Sequence, residues 1–297
     1  MKMNAIPFLA LLIVLSVAGC TTNQTTSNTI RFGVVPYESA SQIKDEYAPF
    51  AKYMSRKLGK PVEIFQAQDY SGVCQALASG QVDLAYLNPL SYALYTDKLK
   101  GTKRELVPIA MPVIKGSLYY YGAIFTRKDS GIAKIADLKG KKISFADATS
   151  ASGYLYPIAY LKAHGIQKSD FSVVAFAGSQ SVVPSVLNRS ADVGAVYEDA
   201  LKKGMSPERQ AQLKVLARVG PIANGMVVAR GDLAPDVISA AKQAYIDINI
   251  EPDGKAALTK LDVNKWDKPD DSIFDPVRRA ATTLGIDIEV LTKKKKK

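Results

Sequence analysis

Two phrases far apart in the chain constrain its architecture more than any other feature. They are Gly80-Gln81-Val82-Asp83-Leu84-Ala85-Tyr86 and Arg189-Ser190-Ala191-Asp192-Val193-Gly194-Ala195-Val196-Tyr197. Each reads as a helix end, a short apolar strand entered through an aspartate, and a tyrosine at the strand's far edge. A pattern met twice in this way predicts two lobes of similar design.

The segments around the first phrase alternate between strand and helix. Ile30–Val35 reads as a strand, Tyr47–Leu58 as a helix stopped at Gly59, and Pro61–Ala67 as a strand. Ser71-Gly72 opens a helix that ends at Gly80. Val82–Tyr86 is a strand, and Asn88-Pro89 opens the next helix, with asparagine as N-cap and proline at the first helical position. Leu106–Val113 completes a β-α-β-α-β-α-β run, which argues for a parallel sheet covered by helices. Ligands of open sheets of this kind bind beyond the C-terminal ends of the strands.

The same rhythm returns later. Strands are expected at Ile143–Phe145, Ser172–Ala177, Ala191–Val196 and Lys214–Arg218, with helices at Tyr154–Ala163 and Val182–Leu187. Tyr119–Arg127 and Asn224–Arg230 are alike and read as two strands crossing between the lobes. Helices at Pro235–Asn249 and Asp275–Leu284 are expected to return to the first lobe. The resulting division is 30–120 for lobe one, 121–227 for lobe two and 228–292 for the return.

The N-terminus differs from the body. Met1-Lys2 is a short basic start, Ile6–Val17 is almost wholly apolar, and Val17-Ala18-Gly19-Cys20 follows. Residues 1–19 read as a signal peptide, shorter than the roughly 20 residues of a membrane span. The cysteine after small residues resembles the lipobox of bacterial lipoproteins, which implies cleavage before Cys20 and lipid on its thiol; the plain alternative is an ordinary signal peptide with an incidental cysteine. Residues 20–29, polar and uncharged over Thr21–Asn28, suit a flexible tether. This places the protein in the periplasm or on the outer face of the cell membrane.

The other cysteine, Cys74, reads as a small buried hydrophobe. The formal charge is +11, of which Lys2 and the tail Lys293–Lys297 carry six, leaving +5 for residues 20–292. The tail (293–297) is either solvated or a contact for anionic lipid. No basic helix or aromatic–basic sheet motif points to nucleic acid. One histidine and no HExxH, GxSxG or CxxC pattern leave little for an enzyme, a metal or a cofactor.

Taken in order, Ser71-Gly72-Val73, Gly80-Gln81-Val82-Asp83 with Ala85-Tyr86, Asn88-Pro89-Leu90-Ser91-Tyr92, Tyr121-Gly122-Ala123, Asp137-Leu138-Lys139-Gly140-Lys141 and Ser150-Ala151-Ser152-Gly153-Tyr154-Leu155 resemble the phosphate/phosphite/phosphonate-binding proteins of ABC importers. The resemblance covers about residues 30–285. It implies a type II periplasmic binding protein fold, an α/β chain of two lobes with the ligand cleft between them. It also implies a small phosphorus oxyanion as ligand, a permease and its ATPase as partners, a monomer and no cofactor. The family often has a Ser-His pair where this chain has Ser179-Gln180. A sulfonate or thiamine-like ligand, or a sensory lipoprotein without a permease, are the alternatives.

The candidate site centres on Thr149-Ser150-Ala151-Ser152-Gly153. A helix start offers unpaired N–H groups and the positive end of the dipole, and hydroxyls add donors. One hydroxyl suffices for an N-cap, so three within four residues point to an anion cradle. Each charge-assisted bond contributes about 1.5–3 kcal/mol, and a micromolar site needs about 8 kcal/mol net. Tyr37, Tyr86 and Tyr197, at expected strand ends, either face the ligand or pack the hinge. Asn88 caps its helix and could also face ligand, and Gln180 stands in the histidine's place. Glu198 and Asp199 are either acids at a helix start or acceptors for a proton or ammonium on the ligand. An unprotonated anion 4 Å from a carboxylate would cost about 4 kcal/mol at an effective dielectric of 20. His164 is given no role, and Trp266 reads as lobe packing.

Overall fold

A computed structural model describes residues 28–287. The expected signal peptide, Cys20, most of the expected tether and the lysine tail lie outside the described residues.

The elements run in three groups. The first is β1 (Ile30–Val34), α1 (Ala40–Leu58), β2 (Val62–Gln66), α2 (Tyr70–Ser79), β3 (Leu84–Leu87), α3 (Pro89–Leu99) and β4 (Leu106–Val113). The second is β5 (Tyr119–Arg127), β6 (Lys142–Phe145), α4 (Tyr156–Ala163), β7 (Val173–Phe176), α5 (Ser179–Leu187), β8 (Val193–Tyr197), α6 (Pro207–Ala211) and β9 (Leu213–Ala223). The third is β10 (Met226–Arg230), α7 (Pro235–Asp247), α8 (Pro252–Lys260), β11 (Lys265–Asp267) and α9 (Asp275–Thr283).

Two sheets result, ordered β11-β4-β10-β3-β1-β2 and β7-β6-β8-β5-β9. In each, three strands are parallel: β1 lies between β2 and β3, and β6 between β7 and β8. In each, a strand arriving from the other lobe pairs antiparallel with the third, β10 on β3 and β5 on β8. The likeness between Tyr119–Arg127 and Asn224–Arg230 therefore reflects equivalent positions. Both sheets are covered on both faces. The first packs one core against α1, α7 and α8 and another against α2 and α3, as sheets with a parallel centre require.

Three expectations need correction. The two long strands do not bridge the lobes, because each lies wholly within one sheet. The crossings are the short connections between β4 and β5 and between Ala223 and Met226, so the second sheet spans Tyr119–Ala223 and β10 belongs to the first. Asn224 ties the crossings together: its N–H donates to Leu118 O at 2.7 Å, and its Nδ2 donates to Pro112 O at 3.0 Å and Ser117 O at 2.9 Å. Second, β9 runs on past the expected Lys214–Arg218 through Gly220-Pro221 to Ala223. It is an edge strand with a register shift opposite Tyr120 and Gly122, where proline is tolerated. Third, α9 does not simply rejoin lobe one. Val277 and Ala281 are buried with Leu90 and Ala93 of α3 and with Leu155 of lobe two, so α9 fastens the lobes together.

Helix α1 starts at Ala40, earlier than its apolar spacing suggests. Only Ile43 of its first turns is buried, so the period is weak there, and the start is set by Ser39, whose side chain accepts from Gln42 N–H. The caps at Asn88, Gly59 and Gly80 are as expected, both glycines being left-handed.

Candidate functional site

The C-terminal ends of the parallel strands converge on one cleft of about 410 Å³ between the lobes. Tyr37 follows β1, Tyr86 and Asn88 end β3, Ser150 and Ser152 follow β6, and Tyr197 ends β8; all six line the cleft.

The hydroxyl cluster divides its labour. Thr149 is buried and turned inward: its N–H and its hydroxyl both donate to Asp147 Oδ1, at 2.7 and 2.6 Å. Ser150 is the N-cap, its Oγ accepting from Gly153 N–H at 3.0 Å. A hydroxyl that accepts in this way still has its proton to donate. The turn it caps, Ala151–Leu155, is a π-helical turn leading into α4, and its first N–H groups are those a helix start leaves without intrahelical acceptors. Ser152 is hydrogen-bonded to Tyr120 on the cleft wall. Gly153 does not reach the cleft. A Cβ there would lie 2.4 Å from Ala146 Cβ, so glycine is needed for the turn to seat on the end of β6. The cluster is thus cap and donor set together: Ser150 and Ser152 face the cleft, while Thr149 and Gly153 hold the turn.

On the facing lobe, Asn88 caps α3, its Oδ1 accepting from Leu90 and Ser91 N–H at 3.1 and 3.2 Å and its Nδ2 donating to Ser91 Oγ. Tyr86 accepts Gly225 N–H at 3.1 Å. Burial pushes its phenol up to about 12, against the opposing effect of that bond. Burial raises Tyr37, Tyr70, Tyr120 and Tyr197 as well. All five are therefore neutral at physiological pH. The cleft's inner wall is a set of uncharged donors, with no arginine on its lining.

Two expected residues stand elsewhere. Gln180 is exposed and folds back over Gly178; its neighbour Ser179, 3% exposed, lines the cleft instead and shares a 2.8 Å hydrogen bond with Tyr70 of the other lobe. The helix begins at Ser179, not Val182, which turns the pair by one position. Glu198 is off the lining and is paired with Arg218 at 2.8 Å. Asp199 is on the lining, paired with Lys115 at 2.7 Å.

The sequence reading missed several lining residues. Tyr70 begins α2 and Tyr120 is the second residue of β5, where apolar period carries little information. Lys203 reaches from lobe two to Glu46 at 3.1 Å and Glu38 at 3.3 Å of lobe one. Tyr37 donates to Glu46 at 2.7 Å and Tyr197 to Glu38 at 3.2 Å. Trp266 lies on the lining with its ring edge-on to Tyr86, centroids 6.4 Å apart. It packs as expected, but on the cleft wall. With Tyr70–Ser179 and Lys203–Glu46 both made, the lobes meet across the cleft.

Comparison with known proteins agrees with this arrangement. The family model described as the ABC transporter, phosphonate, periplasmic substrate-binding protein matches residues 32–274. The chain belongs to this family. Its fold is the type II periplasmic binding protein fold, and the family consists of substrate-binding proteins, not enzymes. The chain is 30% identical over 244 residues to the phosphate-import protein PhnD of Mycolicibacterium smegmatis, covering 78% of this chain and 75% of that one. It is 29% identical over 259 residues to the phosphonates-binding periplasmic protein of Escherichia coli, covering 85% and 75%. The crystal structure of PhnD1 from Prochlorococcus marinus in complex with methylphosphonate superposes with a TM-score of 0.77 at 18% identity, over 87% of this chain and 98% of that one. Among the described residues, no helix is long and apolar enough to cross a membrane.

Proposed function

We propose that this protein captures a small phosphorus oxyanion, a phosphonate, phosphite or phosphate, between its two lobes and presents it to the permease and ATPase of an ABC importer. The observation that carries the reading is the meeting of Ser150 and Ser152, at a helix start in lobe two, with Tyr86 and Asn88 of lobe one in a single cleft. Membership of the phosphonate-binding family and the names of its relatives support it. The oxyanion sits at the start of the 151–155 turn, where N–H groups and hydroxyls converge. Tyr86, Asn88 and Ser179 add donors as the lobes close, and Tyr197, whose proton goes to Glu38, packs its ring beside them, so ligand shifts the population toward the closed form. Thr149 and Gly153 act by holding the turn, and Glu198 and Gln180 lie outside the first contact.

The protein acts as a monomer on the outer face of the cell membrane, held by lipid on Cys20. Mass spectrometry of the membrane-derived protein is expected to find residues 1–19 removed and a lipid mass on Cys20. Cys20→Ala should release the protein from the membrane fraction.

The test of function is calorimetric titration of ligand-stripped protein with phosphite, methylphosphonate, phosphate and sulfate. At least one phosphorus oxyanion is expected to bind with micromolar or tighter affinity and to be lost in Ser150→Ala. No binding by any of the three would refute the reading, and sulfate as the one ligand bound would move it to a different anion class.

A further inference from the structure

The cleft is larger than the group it is proposed to grip. At roughly 30 Å³ per water, about 410 Å³ holds more than a dozen waters, and it falls within the roughly 300–1,000 Å³ of sites for small organic ligands. A bare tetrahedral oxyanion at Ser150 and Ser152 leaves most of it empty. One stretch of the remaining wall is apolar: Tyr47, Tyr86, Leu261, Val263 and Trp266 line it. Trp266 is 7% exposed and held between Tyr86 and Tyr245 by edge-on ring contacts, on a strand paired with β4.

The carboxylates around this space already have hydrogen-bond partners, Glu38 and Glu46 sharing one lysine. Glu46 holds Lys203 at 3.1 Å and accepts from Tyr37. Glu38 holds Lys203 at 3.3 Å and accepts from Tyr197. Asp199 has Lys115 and Glu198 has Arg218. Asp262, the remaining carboxylate of the lining, is exposed at the rim, where water screens it. Lys260 adds positive charge to the same rim. A cationic group entering with the ligand would have to compete with Lys203, Tyr37 and Tyr197 for these glutamates, whereas a hydrocarbon group meets Tyr86, Val263 and Trp266 at once.

We propose that the ligand is a phosphonate with a neutral organic substituent several carbons long, running from the hydroxyl cradle along Tyr86, Val263 and Trp266, and that the pairing of Lys203 with Glu38 and Glu46 turns away phosphonates bearing an ammonium group. The proposal rests on the oxyanion reading above and adds the selection of the substituent.

Propylphosphonate and 2-aminoethylphosphonate form a matched pair of equal length, ending in methyl or ammonium. Both, with methylphosphonate, are titrated into the full chain by calorimetry, with emission from Trp266, the single tryptophan, as a second readout. Burying each further methylene tightens binding about fourfold. Propylphosphonate is therefore expected to bind about tenfold tighter than methylphosphonate, and at least tenfold tighter than 2-aminoethylphosphonate. Aminoethyl binding as tightly as propyl, or methyl as tightly as propyl, overturns the proposal while leaving the oxyanion reading intact. Silence from all three overturns the proposal, and the oxyanion reading falls with it only if phosphite and phosphate are silent as well. Lys203→Met gives the second arm. Lys203 is 44% exposed, so the swap spares the core. It frees Glu38 and Glu46 and is expected to cut the preference for propyl over aminoethyl at least fivefold; an unchanged preference overturns the role given to Lys203.

Discussion

Asp83 and Asp192 make the same pair of bonds in different lobes. Asp83 donates its N–H to Arg31 O at 2.9 Å and accepts Arg31 N–H on Oδ2 at 2.8 Å. Asp192 donates to Lys142 O at 2.9 Å and accepts Lys142 N–H on Oδ2 at 2.9 Å. Arg31 and Lys142 stand at the start of the central parallel strand of each sheet. Each aspartate thus locks the third strand against the first at the end away from the cleft. That lock sets the register in which Tyr86 and Tyr197 emerge at the other end.

The two locks differ in strength. Asp83 Oδ1 also accepts Arg230 Nε and Nη2, at 3.1 and 3.0 Å, in a largely buried pair. Asp83→Ala removes both of these charge-assisted bonds and leaves Arg230 only Asp232, so it is expected to cost about 2 kcal/mol. Asp192→Ala loses a backbone bond without a buried guanidinium and should cost about 1 kcal/mol. Urea unfolding of both variants checks the order, and equal losses would show that Asp232 alone satisfies Arg230.

Thr149 and Ser150 are adjacent hydroxyls with opposite expected signatures. Thr149→Val removes the bond to Asp147 and should lower stability by about 1 kcal/mol, with ligand affinity changed less than about twofold because the hydroxyl is turned from the cleft. Ser150→Ala removes the cap, again about 1 kcal/mol, and also a donor to the anion, so affinity should fall about tenfold or more. Thermal unfolding and titration on the same samples separate the two effects. An affinity loss in Thr149→Val to match that of Ser150→Ala would place its hydroxyl on the ligand.

The strands, the caps at Asn88, Gly59 and Gly80, and the kinship of the two aspartate phrases were legible because each is local: a period, a cap residue or a turn glycine within a few positions. The crossings were misread for the same reason. Tyr119–Arg127 has the length and apolar content of a crossing strand, and only its pairing with β8 and β9 reveals it as a sheet member. The lining of the cleft was legible where hydroxyls were concentrated, at Ser150 and Ser152, and at tyrosines ending strands. Lys203 and Trp266 were not, because their roles depend on how the lobes and the C-terminal segment come together, which no local pattern encodes. Gln180 stands one position from Ser179, which lines the cleft, and the start of α5 there has no side-chain cap to mark it in the sequence.

Acid should weaken the fastening of α9. Asp271 accepts from Tyr92 Oη at 2.7 Å and pairs with Arg278 at 2.7 Å. Partial burial works to raise its carboxyl, but the bonds from Arg278 and Tyr92 and the charge of Arg278 outweigh it, so it lies below its ordinary 3.8. A depressed carboxylate adds stability above its unfolded value, and that share is lost as pH falls through the folded value. Asp271→Asn should therefore be less stable than the parent at pH 7, and the gap should narrow below about pH 4. Denaturation midpoints at pH 7, 4 and 3 check it, and a gap independent of pH would assign the effect to packing alone.

Gly225 joins the second crossing to the cleft. A Cβ there would lie 2.2 Å from Leu87 O and 2.6 Å from the Tyr86 ring. Neither a strand carbonyl nor a buried ring can yield that far, so Gly225→Ala must move the crossing itself. Overpacking of this kind costs about 1–3 kcal/mol. The larger consequence is for binding. The shift breaks the Gly225 N–H bond to Tyr86 and alters the angle at which the lobes meet, so fewer molecules hold Tyr86 and Ser150 at matching distance. Apparent affinity falls by that fraction. The variant is expected to remain folded and bind at least tenfold more weakly, with Trp266 emission shifted to the red before ligand is added as the wall beside Tyr86 opens to water. Binding within twofold of the parent would mean that closure is set elsewhere, at Lys203 and its two carboxylates.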